Sequence, residues 1–186
     1  MHRSLAPVLA LLTSGAGLTH AAPVPTATQG RASPPPLSFP KPGEPGGLPD
    51  DRAPISEGPF SPTSAQGAAD VVQTYYALIE GRRFDDAARL WWDRNRPSGM
   101  NPKHFVREFG SYREYRAQVG APGRVSGAAG SAYVEVPVSI AARPRKGADQ
   151  HFAATVLLRR VNGVSGAGRQ ARRWRIVRIE RGRHAC

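Results

Sequence analysis

Cysteine is almost missing from this chain: among 186 residues only Cys186, the last, carries a thiol. One thiol cannot close an internal disulfide, so the fold must rest on its core, and Cys186 could at most pair with another molecule. Histidine is scarce too. Beyond residue 63 only His104, His151 and His184 occur, none spaced as ligands on a helix face and none accompanied by cysteine inside the fold. That supply argues against a metal centre, and no cofactor is expected. Nucleophile and phosphate motifs are also lacking. GVSGAG at 163–168 has Ala167 where a nucleophile elbow needs glycine. GAGRQA at 166–171 lacks the third glycine of a dinucleotide loop, and there is no P-loop. Acids are few, 14 against 26 Lys plus Arg, for a formal charge of +12. No apolar run approaches the ~20 residues that span a bilayer.

What is present divides the chain in three. Arg3, the apolar run 5–12 and the small residues ending at Ala21 have the layout of a secretory signal peptide, for which cleavage after Ala21 is expected and an uncleaved anchor is the alternative. Residues 22–63 hold 12 of the 18 prolines, including SPPPLSFPKPGEPGGLP at 33–49. Proline removes backbone donors and fixes φ, so an extended, disordered stalk is expected. Residues 64–186 are of single-domain size. The first 63 residues are charge-neutral, so this domain carries the whole excess, 22 basic against 10 acidic residues.

Within the domain, helical periods come first. Ser64 can cap a helix whose stripe is Ala68, Val71, Val72, Tyr75, Leu78 and Ile79, stopped by Gly81. A second helix is expected over 85–92, and a third behind the Asn101-Pro102 start, with Phe105 and Phe109 facing inward. After Gly110 the period becomes two. Val134, Val136, Val138 and Ile140 share one strand face, and 150–161 and 172–180 read as further strands, with 112–119 and a piece near Val125 as weaker ones. Trp174 and Ile176 are out of phase with Val177 and Ile179: either both faces are covered, or a bulge shifts the register near Ile176. VSGA, at 125–128 and 164–167, reads as turn chemistry. Helices followed by strands indicate an α+β domain with helices laid on one face of an antiparallel sheet.

The stretch FDDAARLWWD at 84–93 places paired acids beside paired tryptophans. On a continuous helix Phe84, Ala87, Ala88 and Trp91 share a face, while Asp86 and Asp93 point away. Asp85 then caps the first turn and pairs with Arg89, which is structure rather than chemistry. Trp91 should be core. Trp92 and Tyr76 flank their stripes and are the candidate rim of a cavity or interface. Glu135 with Tyr133, or His104, could do acid–base work only if they converged; Glu135 opposite the valines and His104 on a helix surface read as solvent-facing.

YYALIEGRRFDDAARLWW, a short Phe-bearing helix, VGAPGRVSGAAGSAYVEVPVSI, LLRRVNG and a closing WRIVRI together resemble the nuclear transport factor 2-like superfamily over about 64–179, and in particular its secreted bacterial members. The resemblance implies a cystatin-like cone: a strongly curved sheet wrapping a long helix, with a cavity at the wide end. It leaves function open, since members include isomerases, dehydratases and hydrolases as well as binding and assembly modules.

The other signal is charge. Nine arginines and one acid lie in 159–183. Arg169, Arg172, Arg173, Arg175 and Arg178 are candidates for a patch that attracts anionic polymers, without the modules that read nucleic-acid sequence. The expectation is a periplasmic or secreted, non-enzymatic envelope module that engages an envelope protein or anionic polymer. The alternatives are a polyanion binder acting through these arginines, or a small-molecule isomerase or hydratase in the cavity.

Overall fold

The computed structural model describes residues 34–50, 60–163 and 168–182. The signal segment 1–21, the second VSGA and Cys186 lie outside the described residues. Residues from Pro36 onward form one compact unit. Its elements run α1 (Ala65–Glu80), α2 (Phe84–Ala88), a 3-10 turn (Pro97–Gly99), α3 (Pro102–Gly110), β1 (Tyr112–Val119), β2 (Ser126–Ala128), β3 (Ser131–Pro144), β4 (Gln150–Val161) and β5 (Arg175–Arg181).

Local chemistry accounts for the helices. Ser64 accepts the amide of Gly67 and Asn101 accepts that of His104, each satisfying a donor that the first turn leaves orphaned. Pro102 opens α3 where no amide is needed. The α1 stripe is buried at Ala68, Val72, Tyr75 and Ile79. Gly81 follows the last residue of α1, and Arg82 takes the left-handed conformation just beyond, at φ 57°.

The sheet is antiparallel in the order β1-β3-β4-β5, with β2 sharing the β1 edge of β3. Helix α1 touches β1, β3 and β5. Those edges lie three strand spacings apart, about 14 Å across a flat sheet. A helix about 10–12 Å wide reaches both only because the sheet curls around it. The core is the concave side: Val134, Val136, Val138 and Ile140 of β3, Phe152, Ala154, Val156 and Leu158 of β4, and Ile176, packed against α1, Trp91 and Phe105. The architecture is thus α+β, helices followed by a curved antiparallel sheet. Leu157 pairs with Arg178 but Leu158 with Ile176, so Val177 is extra in β5 and the phase change is a bulge.

Three expectations need correction. Helix α2 ends at Ala88 instead of continuing to Trp92. The chain leaves it because Leu90 and Trp92 add to the sheet: the Ile176 amide donates to the Leu90 carbonyl at 3.0 Å and the Trp92 amide to the Ile176 carbonyl at 2.8 Å. With that helix goes its expected Asp85–Arg89 pair, since Asp86 instead meets both Arg83 and Arg89. The first VSGA is largely strand: Ser126–Ala128 pairs with β3, and the turn falls on Ala129 and Gly130, both at positive φ.

The third correction concerns the stalk. Residues 36–50 are no free spacer but a strap on the convex face of the sheet. Leu37 and Leu48 are buried, and Ser139, which points away from the core, donates to the Gly46 carbonyl at 2.5 Å. Gly46 sits at φ 81°, a left-handed conformation that glycine adopts at no steric cost, and brings the strap against the backbone of His151 and Phe152. Strand alternation does not reveal such a segment, because it packs through two leucines and its own backbone.

Candidate functional site

The concave side leaves a cavity of about 140 Å³ between α1 and the β1, β3, β4 and β5 strands. Its walls are aromatic: Tyr75 and Tyr76 from α1, Phe109 from α3, Tyr115 from β1 and Phe152 from β4, with Ala154, Ile140 and Ile179 between them. The tyrosines brace one another. Tyr76 stacks on Tyr115 with centroids 6.3 Å apart and meets Tyr75 edge-on at 4.9 Å. Ser98, left-handed at φ 55°, contributes from the 3-10 turn.

Two polar features make this more than a packing defect. The Tyr75 hydroxyl is buried beside the Trp91 indole N–H, whose ring lies edge to face at 6.0 Å and which can only donate, so the hydroxyl proton has no acceptor among the described residues. A buried polar group without a partner costs free energy that a bound acceptor would recover. The second is Arg181. After the bulge, Ile179 and Arg181 pair with Val156 and Ala154 and share their inward face. The Arg181 guanidinium lies 3.7 Å from the Phe152 ring centroid and lines the cavity as its only charged group among the described residues.

The protonation states follow from burial. Burial pushes the pKa values of Tyr75, Tyr76 and Tyr115 well above the ordinary phenol range; Tyr115 adds to the rise at Tyr75 and Tyr76, and Tyr112 adds to it at Tyr115, where the Arg181 cation opposes it. At neutral pH these three are hydroxyl donors, not bases. No carboxylate or imidazole lines the cavity among the described residues. His104 and Glu135 are exposed, and Glu135 shares the convex face with Tyr133, so none of the three reaches the cavity. Among the described residues no cluster of His, Cys, Asp or Glu could hold a metal, and no helix is long and apolar enough to cross a membrane.

The residues singled out in the sequence separate. Tyr76 is buried in the cavity wall. Trp92 is 40% exposed on the other side of the sheet, where its ring stacks with the Arg159 guanidinium at 4.3 Å. The two do not form one rim. Arg169, Arg172 and Arg173 lie on the turn before β5, Arg175 is half-buried on its first residue, and Arg178 is paired with Glu180 at 3.0 Å. Arg181 was missed, although counting on by two from Ile179 reaches it. Arg159 had no such signal, because its role depends on cross-strand register.

No protein-family model matches the chain, and no curated protein matches it. Solved structures similar in fold include a nuclear transport factor 2-like superfamily protein from Salmonella enterica, at 13% identity over 66% of this chain and 92% of that one, TM-score 0.47. Others are a candidate scytalone dehydratase from Novosphingobium aromaticivorans, at 12% identity over 62% and 80%, TM-score 0.45, and a protein with a cystatin-like fold from the same species, at 11% over 62% and 79%, TM-score 0.41. These likenesses concern the fold alone.

Proposed function

We propose that this chain is an exported binding module of the cell envelope, without catalysis, whose cavity seats one aromatic ring bearing an anionic group. The observation that carries the reading is the pairing of an aromatic-walled cavity with the Tyr75 hydroxyl proton, which lacks an acceptor among the described residues, and the Arg181 cation. A cavity of 140 Å³ is close to the ~150 Å³ known to hold benzene and below the ~300 Å³ at which drug-sized pockets begin. The phenols donate but do not abstract protons near neutrality, which favours binding over acid–base turnover. Export rests on the 1–21 layout, and the mature protein should begin at Ala22 or within a few residues of it. An intact Met1 in secreted material would defeat that part.

The test is calorimetry with benzoate, benzyl alcohol and benzylamine. Benzoate should bind saturably, the alcohol more weakly and the amine not at all. Ala154→Leu should fill the cavity and abolish binding while the protein still melts cooperatively. Arg181→Gln should weaken benzoate about tenfold and leave the alcohol unchanged, as loss of one charge-assisted contact requires. Benzoate binding that ignores both substitutions would overturn the site, and conversion of a bound acid to product would overturn the non-catalytic reading.

A further inference from the structure

On the convex side, away from the cavity, the β-sheet register brings Tyr133, Arg159 and Arg175 into one row across β3, β4 and β5. Arg159 and Arg175 are direct cross-strand partners, and like charges so placed destabilise a sheet. Neither meets a carboxylate among the described residues. Arg159 donates to the Ser131 hydroxyl at 2.9 and 3.1 Å and stacks on Trp92. Arg175 donates to Gln170 Oε1 at 2.7 Å and to the Arg89 carbonyl. Partial burial disfavours the Arg175 cation first, and nearby Arg94 and Arg173 disfavour it further. Of the acids on neighbouring segments, Asp86 is engaged by Arg83 and Arg89, Asp93 by the amides of Asn95 and Arg96, and Glu180 by Arg178, while Glu135 of β3 shares the convex face exposed and makes no ion pair among the described residues. Arg94 and Arg173 are exposed and make no ion pair among the described residues.

Arg159 and Arg175 thus face each other with only neutral partners among the described residues, beside an indole that is 40% exposed, and Arg94, two residues beyond that indole, and Arg173, two residues before Arg175, flank them in the chain. Guanidinium is the side chain best matched to phosphate, through paired donors in a fixed plane. A pair of guanidinium groups on adjacent strands, flanked by two more on the segments leading to them, fits one multiply charged group better than a long, evenly spaced polymer. We propose that Arg94, Arg173 and Arg175, walled by the Arg159–Trp92 stack, form a binding site for a phosphomonoester or pyrophosphate group. Arg94 and Arg173 supply free donors, and the anion neutralises the repulsion around Arg175. The site is independent of the aromatic cavity, so either can fail alone.

The experiment titrates the full chain with pyrophosphate, against chloride at matched ionic strength, by calorimetry. A parallel arm measures sedimentation with phosphatidylcholine vesicles with or without phosphatidic acid, which presents the same group on a membrane. Saturable binding in either arm is expected, and tells which source presents the phosphate. The Arg94→Gln/Arg173→Gln variant, altered only at exposed side chains, should keep its melting temperature and lose affinity at least about tenfold, or about 1.4 kcal/mol. The proposal is overturned if neither probe binds beyond the chloride control, if the variant binds as well as the native chain, or if only a long polyanion such as heparin or DNA binds.

Discussion

Trp91 and Trp92 are neighbours in sequence with opposite surroundings. Trp91 is 2% exposed and packs edge-on against Tyr75, whereas Trp92 lies on the convex surface under Arg159. Trp91→Ala should cost about 3–5 kcal/mol in denaturant unfolding, the range for emptying a large buried aromatic site. Trp92→Ala should cost about 1 kcal/mol, as a surface stack with a cation does. Equal losses would contradict the placement. The sequence separated this pair correctly but for an incomplete reason. Helical phase put Trp92 on a flank, whereas the actual cause is the exit from α2 into a bridge with Ile176, which a local period cannot show. Tyr115 gives a second test at this scale. Its pKa in the folded state is raised, so the neutral phenol's stabilising effect is complete below about pH 10 and is lost as pH climbs toward the folded value. A phenolate-absorbance difference between the native chain and Tyr115→Phe should appear only as helical circular dichroism is lost. A difference centred near pH 10 with the dichroism intact would contradict the burial.

The elements divide into those fixed by local chemistry and those fixed by contact. Helices α1 and α3 were legible because their caps and stripes agree, and β3 and β4 because their alternation is long. The bulge in β5 was visible as a phase conflict at Ile176 and Val177, and cross-strand pairing resolves which explanation applies. The strap was not legible. Its prolines exclude helix and sheet, but nothing in that rule forbids docking through Leu37, Leu48 and the Gly46 carbonyl. Leu48 meets the edge of the sheet at Gly120, where a Cβ would come within 3.0 Å of its side chain. Leu48→Ala should therefore destabilise the domain by about 2–5 kcal/mol, as for a core leucine. Proteolysis of the variant should cut first within 36–50. A variant as stable and as resistant as the native chain would mean that the strap contributes nothing to the fold.

At the scale of the whole molecule, the curved sheet keeps two chemistries apart. The concave side holds apolar walls, phenols of raised pKa and, among the described residues, one cation, and the convex side near β5 holds Arg159 stacked on an indole beside Arg175. The general excess of charge was readable from composition, but not its division: Arg178 and Arg181 lie three residues apart, so strand alternation sends one outward and the other to the cavity, and only the bulge at Val177 fixes which is which. The claim on which the functional account turns is that the cavity admits a ring. Methyl-resolved NMR of the full chain titrated with benzoate addresses it directly. The methyl groups of Ile140, Ala154 and Ile179 line the cavity and should shift together and saturably, by ring-current effects, while those of Leu37 and Leu48 across the sheet stay still. Methyl groups that do not move at high benzoate, or that move equally on both faces, would contradict the account.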